Sequence, residues 1–390
     1  MQFGSVFADG KVLDGQTDTL EATAQPTYFV VYTRRQGSDW DNGIKVGANS
    51  YSFTPEEGVR YDFYVAAGNK GGLSMPSEVL SACLFANSPL VLVVNGFTRL
   101  SAPDSYADSV HGGFLPESYG VPYKKDVCYI GSQYEFRRAL PWQSDDDTGA
   151  GGCYGDQALT TMAGNMFDYP VMHGKVLQKM RISYVSASIS SFAQQKEENN
   201  ISPLAQYDAI DIILGKQKQT TLGTEKLTTD FKTFPEQVQE RIIEYTSAGG
   251  RLLVSGAYIG GDMKDDKADR EFMRRVLHAD FASSHATRTG QIQMRSQFFP
   301  TQMLQLQTTP DEHLTVSENP DGLQPYGENA KCIARFFDTQ VPAGVLWQAA
   351  DNKKPSDSDT TAKTIVFAFP LESVHQFDQL YQQSITLLLD

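Results

Sequence analysis

Gly249-Gly250-Arg251-Leu252-Leu253-Val254-Ser255-Gly256-Ala257-Tyr258-Ile259-Gly260-Gly261-Asp262 is the stretch whose reading decides the fold. A segment of helical period, residues 234–248, runs into Gly249-Gly250. Residues 251–254 then read as a short buried strand, and Ser255-Gly256 turn the chain. Helix, glycine stop, strand and glycine-rich turn make one unit of a parallel α/β sheet. Ligands of such sheets bind outside the carboxyl ends of the strands, which puts residues 255–262 where a site belongs and makes Ser255 and Tyr258 ligand-binding candidates.

Working outward, residues 90–94 (Leu-Val-Leu-Val-Val) form an apolar run suited to a strand buried on both faces. Residues 182–188, 207–215 and 364–370 read as further strands, residues 157–164, 269–277 and 376–389 as helices, and residues 280–350 as mainly β. Thr233 is a cap candidate for the 234–248 helix and Gly249 its stop. Asp168-Tyr169-Pro170 reads as a break, with His173 just beyond it. Asn87-Ser88-Pro89 is a breaker that divides the chain into residues 1–86 and 87–390.

The first of these parts reads as all-β. Residues 27–33 are β-branched and aromatic, Trp40-Asp41-Asn42-Gly43 is a turn signal, and residues 50–53 are a short strand. In residues 58–72, Tyr61, Phe63 and Val65 alternate with Asp62 and Tyr64. That segment, closed by Ser74-Met75-Pro76-Ser77-Glu78, resembles the second half of a fibronectin type III domain, with Tyr61 where the tyrosine corner of such sandwiches stands. The resemblance implies an all-β sandwich acting as a spacer or interaction surface.

The order of elements in residues 87–390 resembles the class I glutamine-amidotransferase-like fold. It implies a three-layer α/β, flavodoxin-like domain with a mainly parallel sheet. Active members carry a nucleophilic Cys in Gly-x-Cys-x-Gly and a His-Pro-Glu near the last strand. Here the first motif is Gly256-Ala257-Tyr258-Ile259-Gly260 and the second Phe369-Pro370-Leu371-Glu372, so the nucleophile position is Tyr258 and the activating His is replaced. A phenol of ordinary pKa, about 10, is a poor acyl-transfer nucleophile. Tyr258, Glu372 and His375, three residues past Glu372, remain the catalytic candidates.

Residues 91–99, 126–137 and 142–152 and the C-terminal strand resemble a family of Bacteroidetes envelope proteins that carry a xanthan lyase label. These often follow a cell-wall amidase domain and a fibronectin module. The resemblance implies an exported protein, periplasmic or on the cell surface, directed at a polysaccharide or cell-wall fragment, with its catalytic domain upstream. The chain reads as a piece of something longer, because Met1 stands close to the first strand.

Asn95 and Arg99, at the carboxyl end of the 90–94 strand, suit a carboxylate or sugar hydroxyls. The alternative is that Asn95-Gly96 is a turn and Arg99 pairs with a surface acid. Trp142 followed by Asp145, Asp146 and Asp147 pairs an aromatic platform with acids, a sugar-binding combination. The three acids are weak metal candidates without the alternating spacing of a calcium loop.

The 390 residues suit two domains. A net charge of −14 argues against a nucleic-acid partner, which needs clustered cations. No run has membrane-spanning length. Cys83, Cys128, Cys153 and Cys332 lack the spacing of a zinc site, and Cys128 with Cys153 is the candidate disulfide. No cofactor is implied. Two readings follow: a non-catalytic accessory or binding module of an exported protein, or a hydrolase or lyase acting on a polysaccharide or peptidoglycan fragment.

Overall fold

The structure, a computed structural model, describes residues 26–73, 77–97, 105–107, 112–114, 169–195, 202–222, 228–230, 232–308, 317, 319–349 and 362–390. Arg99, Trp142, Asp145, Asp146, Asp147, the Cys128–Cys153 pair and the 157–164 helix lie outside the described residues. Strands β1 (Tyr28–Arg35), β2 (Ile44–Val46), β3 (Tyr61–Asn69), β4 (Gly72–Leu73), β5 (Leu80–Cys83), β6 (Leu90–Asn95), β7 (Ser105–Ala107) and β8 (Gly112–Phe114) precede helix α1 (Tyr169–Lys179). Then come β9 (Ser183–Ser188), α2 (Ile189–Ala193), β10 (Ala209–Gly215), β11 (Thr220–Leu222), β12 (Thr228–Asp230), α3 (Glu236–Ser247) and β13 (Arg251–Gly256). Helices α4 (Ile259–Met263) and α5 (Lys267–Arg275) lead to β14 (Ala279–Ser283), β15 (Gln291–Met294), β16 (Gln302–Gln305), β17 (Gly322–Pro325), β18 (Ala330–Phe336), β19 (Pro342–Gln348), β20 (Lys363–Phe367) and α6 (Phe377–Leu389).

The strand order overturns the expected fold class. The order is β16-β15-β18-β19-β20-β13-β10-β6-β9-β5-β3-β1-β2, with β4 on β3: one large mixed sheet of 14 strands, neither a β-sandwich nor a three-layer flavodoxin-like domain. The expected sandwich strands make a single antiparallel ladder, β1 on β3 and β3 on β5, and β5 continues it by pairing Ala82 with Val185 and Cys83 with Tyr184 of β9. Nor is the remainder mainly parallel. Parallel registers join β6 to β9 and β13 to β20, but β20, β19, β18, β15 and β16 follow one another antiparallel.

The physical reason is legible in β3. A sandwich strand hides one face, whereas β3 is buried at Tyr61, Asp62 and Phe63 in succession and again from Val65 to Gly68. Asp62, expected to face solvent, is fully buried and satisfied there. The Arg34 and Arg60 guanidinium groups donate to its two carboxylate oxygens, at 2.9 and 3.0 Å from Nε, and the Ser81 hydroxyl donates at 2.8 Å. Tyr61 donates its hydroxyl to the Glu56 side chain at 2.8 Å, where a tyrosine corner would use upstream backbone.

The chain clusters into two units. The first, Met1–Asn95 with Asp168–Asp211, holds β1 to β6, α1, β9 and α2. The expected break at Pro170 is instead the first turn of α1, where a missing N–H costs nothing because it has no intrahelical acceptor. Gly174 lets α1 approach β9: a Cβ there would stand 2.1 Å from the Tyr184 hydroxyl oxygen. Cys83 is a free, buried thiol whose pKa burial pushes up to about 11.

The second unit is Gly96–Phe167 with Ile212–Asp390. The organising stretch keeps its order, α3, a stop at Gly249 with φ 88°, then β13, but the strand runs on through Ser255 and Gly256, read from the sequence as the turn, and is buried from Leu252 to Gly256. The cap is not Thr233 but Pro235, and no side chain caps α3. Helix α5 has the cap the sequence reading missed, Asp266, whose carboxylate accepts from the N–H groups of Ala268 and Asp269. Helix α6 buries Phe377, Leu380, Tyr381, Ser384, Ile385 and Leu388, and its other face carries Gln379, Gln382, Gln383 and Thr386. No described helix is long and apolar enough to cross a membrane.

Candidate functional site

The five sequence-derived candidates that the structure describes stand in different surroundings. Asn95 ends β6 and is buried, its Oδ1 without a hydrogen-bond partner among the described residues. Ser255 in β13 is fully buried, and its hydroxyl likewise has no partner among the described residues. Tyr258 is half-buried at the start of α4, with the Lys218 ammonium 5.5 Å from its ring centroid. A nucleophile elbow holds its residue on a strained strand-to-helix turn. Tyr258, at φ −125° and ψ 22°, has a negative φ.

Glu372 is buried in the 3-10 turn Leu371–Ser373. His375 is exposed just beyond it, its backbone N–H on the Gln305 carbonyl at 2.9 Å and its Nε2 2.8 Å from Gln307 Oε1. The ring is thus engaged by an amide.

What the turn after β13 does bring together is a pair of acids the sequence reading passed over. Ala257 leaves the strand with its N–H on the Gly215 carbonyl (2.9 Å), and its own carbonyl accepts from the Asp321 N–H (2.8 Å). That bond ties the loop before β17 to the start of α4. Gly260 and Gly261 make the approach possible. A Cβ on Gly260 would stand 2.9 Å from the Phe281 ring, and one on Gly261 2.6 Å from Asp321 Oδ2. The Gly261 N–H donates to that same oxygen. Asp262, one residue on, accepts from the backbone N–H of Gln219 (2.7 Å) and of Thr233 (3.2 Å), so it ties the segments after β10 and before α3 to α4.

Both carboxyls are held away from their ordinary range. Burial raises Asp262 to about 6 against the backbone bonds from Gln219 and Thr233. Burial raises Asp321 to about 6 as well, opposed by the Gly261 N–H and reinforced by the charge of Asp262. The charge of Asp262 adds to the burial that raises Asp321, so the two titrate as a coupled pair around pH 6 and are mostly ionised above it. The Lys218 and Lys264 ammonium groups act on Asp321 in the opposite sense. The chemistry such a set can perform is proton transfer near pH 6, one carboxyl giving and the other taking.

The signal for this pair was present but weak. Asp262 closes the glycine-rich stretch, and Asp321 stands in Asn319-Pro320-Asp321-Gly322, which reads as a turn. Nothing local says that the two meet.

Two other polar clusters are buried. His173 in α1 sits with Nδ1 2.6 Å from Asp211 Oδ2, and both side chains are fully buried. His173 thus has a partner from β10, and neither side chain reaches solvent. Asp280 holds Arg270 and Arg274, each through two hydrogen bonds, and these fasten α5 to β14. Among the described residues, no group of three or more His, Cys, Asp or Glu is placed to hold a metal ion.

No family model matches the chain, and no curated protein matches it. Among solved structures it is similar to one described as the mmIFT52 N-terminal domain, at 10% identity over 56% of this chain and 87% of that one, with a TM-score of 0.34. A likeness that slight carries no argument about fold or function.

Proposed function

We propose that this chain is a non-catalytic accessory or binding module of an exported protein directed at a polysaccharide or the cell wall. The observation that carries the non-catalytic part is the surroundings of Tyr258, Glu372 and His375. Tyr258 lies on a turn with negative φ, Glu372 is buried in a 3-10 turn, and His375 is hydrogen-bonded to Gln307. The glycan direction rests on the resemblance of residues 91–99, 126–137 and 142–152 to the envelope family. In that setting the module holds a saccharide or positions a catalytic domain.

One observation favours the second reading, a hydrolase or lyase acting on a polysaccharide or peptidoglycan fragment. Asp262 and Asp321 both titrate near 6, the range in which a carboxylic acid serves as a general acid. Carboxyls raised by burial beside another charge are candidates for a functional role.

A glycan and peptidoglycan-fragment array, with mass spectrometry of every spot after incubation, tests both. Binding without mass change is expected. A gain of water or an unsaturated uronate, lost in Asp262→Asn or Asp321→Asn, overturns the non-catalytic reading. Silence on both counts overturns the glycan direction altogether.

A further inference from the structure

On the outer face of β15 and β18, in the second unit, a cavity of about 270 Å³ holds two arginines. Side chains alternate along a strand, so Gln293 and Arg295, just past the end of β15, share one face. Gln293 pairs across the ladder with Arg335 of β18, and the Arg295 N–H extends the ladder to the Ile333 carbonyl at 3.3 Å. Arg295 and Arg335 are therefore diagonal neighbours, about 7–8 Å apart at Cα. Gln340, on the hairpin beyond β18, lines the cavity with them, as do two small residues, Cys332 and Ala334. The pairing of β18 with β19 shifts register at these residues, and such an irregularity re-aims side chains. Ile333 and Ala334 are buried in succession, while Cys332 and Arg335 on either side of them are accessible.

The two cations lack what other arginines of this acidic chain have. Arg34, Arg60, Arg241, Arg270 and Arg274 each bond a carboxylate. The Arg335 guanidinium donates to the Gln340 carbonyl at 2.9 Å, and neither Arg295 nor Arg335 has a carboxylate partner among the described residues. The acid nearest to Arg335 in sequence, Asp338, gives its carboxylate to the Thr287 hydroxyl and to the N–H groups of Arg288 and Thr289. Protection of a sheet edge does not account for the pair, because β16 is the edge strand and β15 and β18 lie inside it. Like charges on neighbouring strands repel, and an anion between them turns that repulsion into attraction.

We infer that this cavity binds a phosphate dianion, free or as a monoester. A guanidinium presents a planar fork of N–H donors that meets two oxygens of an oxyanion at once. The Gln293 amide stands beside the forks, and the Gln340 amide, which spends one N–H on the Phe337 carbonyl, keeps a second. Together these offer more donors than the two oxygens of one carboxylate accept, and two positive charges match a dianion. A phosphate monoester is mostly doubly charged above about pH 6. A dicarboxylate has the same charge on two separate groups and is the competing class. The inference is independent of the glycan-directed reading and takes nothing from the resemblance behind it.

The test follows the phosphorus NMR linewidths of inorganic phosphate and of glycerol phosphate as the full chain is added at about pH 7.5 and low salt, with succinate and acetate as competitors. Both phosphates are expected to broaden, and succinate and acetate to displace them weakly. Arg295→Gln and Arg335→Gln should each weaken binding at least about tenfold, and Arg335→Lys, which keeps the charge but loses the fork, about threefold. Arg275→Gln removes an exposed cation of α5 that is paired with Glu271, and it should leave binding unchanged. Arg295 and Arg335 are exposed, so their substitution leaves the core intact, and unchanged urea midpoints confirm this.

Equal affinity for the two phosphates assigns the free ion, and tighter glycerol phosphate assigns a monoester. No broadening of either phosphate overturns the inference. Broadening that Arg295→Gln and Arg335→Gln leave unchanged overturns the location. Succinate or acetate bound as tightly as phosphate overturns the ligand class.

Discussion

Replacing Asp321 with Asn changes the pH dependence of stability in a direction the structure dictates. Asp321 is only 4% exposed and its carboxyl is raised from 3.8 to about 6. A group whose folded pKa exceeds its unfolded value binds protons preferentially in the folded state. Its contribution to stability is therefore complete below pH 4 and is lost as pH rises through about 6. At ~1.4 kcal/mol per pKa unit, a shift of this size is worth up to about 3 kcal/mol, and less for Asp321 alone because Asp262 shares the titration. Asn is the isostere of the neutral acid and still accepts the Gly261 N–H through its Oδ1. The variant should equal the wild type near pH 4 and exceed it by about 1–3 kcal/mol at pH 7.5. Urea titrations at constant ionic strength from pH 4 to 8, read by circular dichroism with the slope m compared throughout, measure the difference. In the Asp262→Asn background the gain should shrink, since part of it is repulsion between the two carboxylates. A difference between variant and wild type that stays constant with pH, or a variant less stable than the wild type at pH 7.5, would refute the reasoning.

Three further outcomes follow from the geometry. Gly174→Ala places a methyl 2.1 Å from the buried Tyr184 hydroxyl and should cost about 1–3 kcal/mol in urea unfolding, against the gain of under 1 kcal/mol that Ala brings to an unobstructed helix; a neutral result would mean α1 is free to shift. Asp62→Ala leaves Arg34 and Arg60 facing an empty interior position and should destabilise by about 3 kcal/mol, measured the same way; a loss near zero would show both cations escaping to water. His278, stacked 3.9 Å from Trp347, is lowered by burial to about 4, so its contribution is complete above pH 6.5 and lost as pH falls toward 4; His278→Gln should flatten the fall of Tm with acid over that window, and an unchanged profile would remove His278 from the account.

The sequence by itself determined most of the local elements. The apolar runs at 90–94, 207–215 and 364–370 became β6, β10 and β20, and the Gly249 stop placed α3 and β13. Those outcomes follow from short-range chemistry: period, β-branching, and a glycine that alone tolerates φ 88° without strain. Where a neighbour from far along the chain mattered, local reading failed. Asp62 looks solvent-facing until Arg34 and Arg60 close on it, and Pro170 looks like a break until it proves to be in the first turn of a helix. The same holds for the sheet. Alternation in β3 is compatible with a sandwich or with a ladder, and only the register of β5 on β9 selects the single mixed sheet. The candidate residues show the limit most plainly. Asp262 and Asp321 are an ordinary acid after a glycine pair and an ordinary turn residue; burial raises both pKa values, and at Asp321 the charge of Asp262 adds to it. Desolvation and charge coupling depend on distances in space, which residue order alone does not contain.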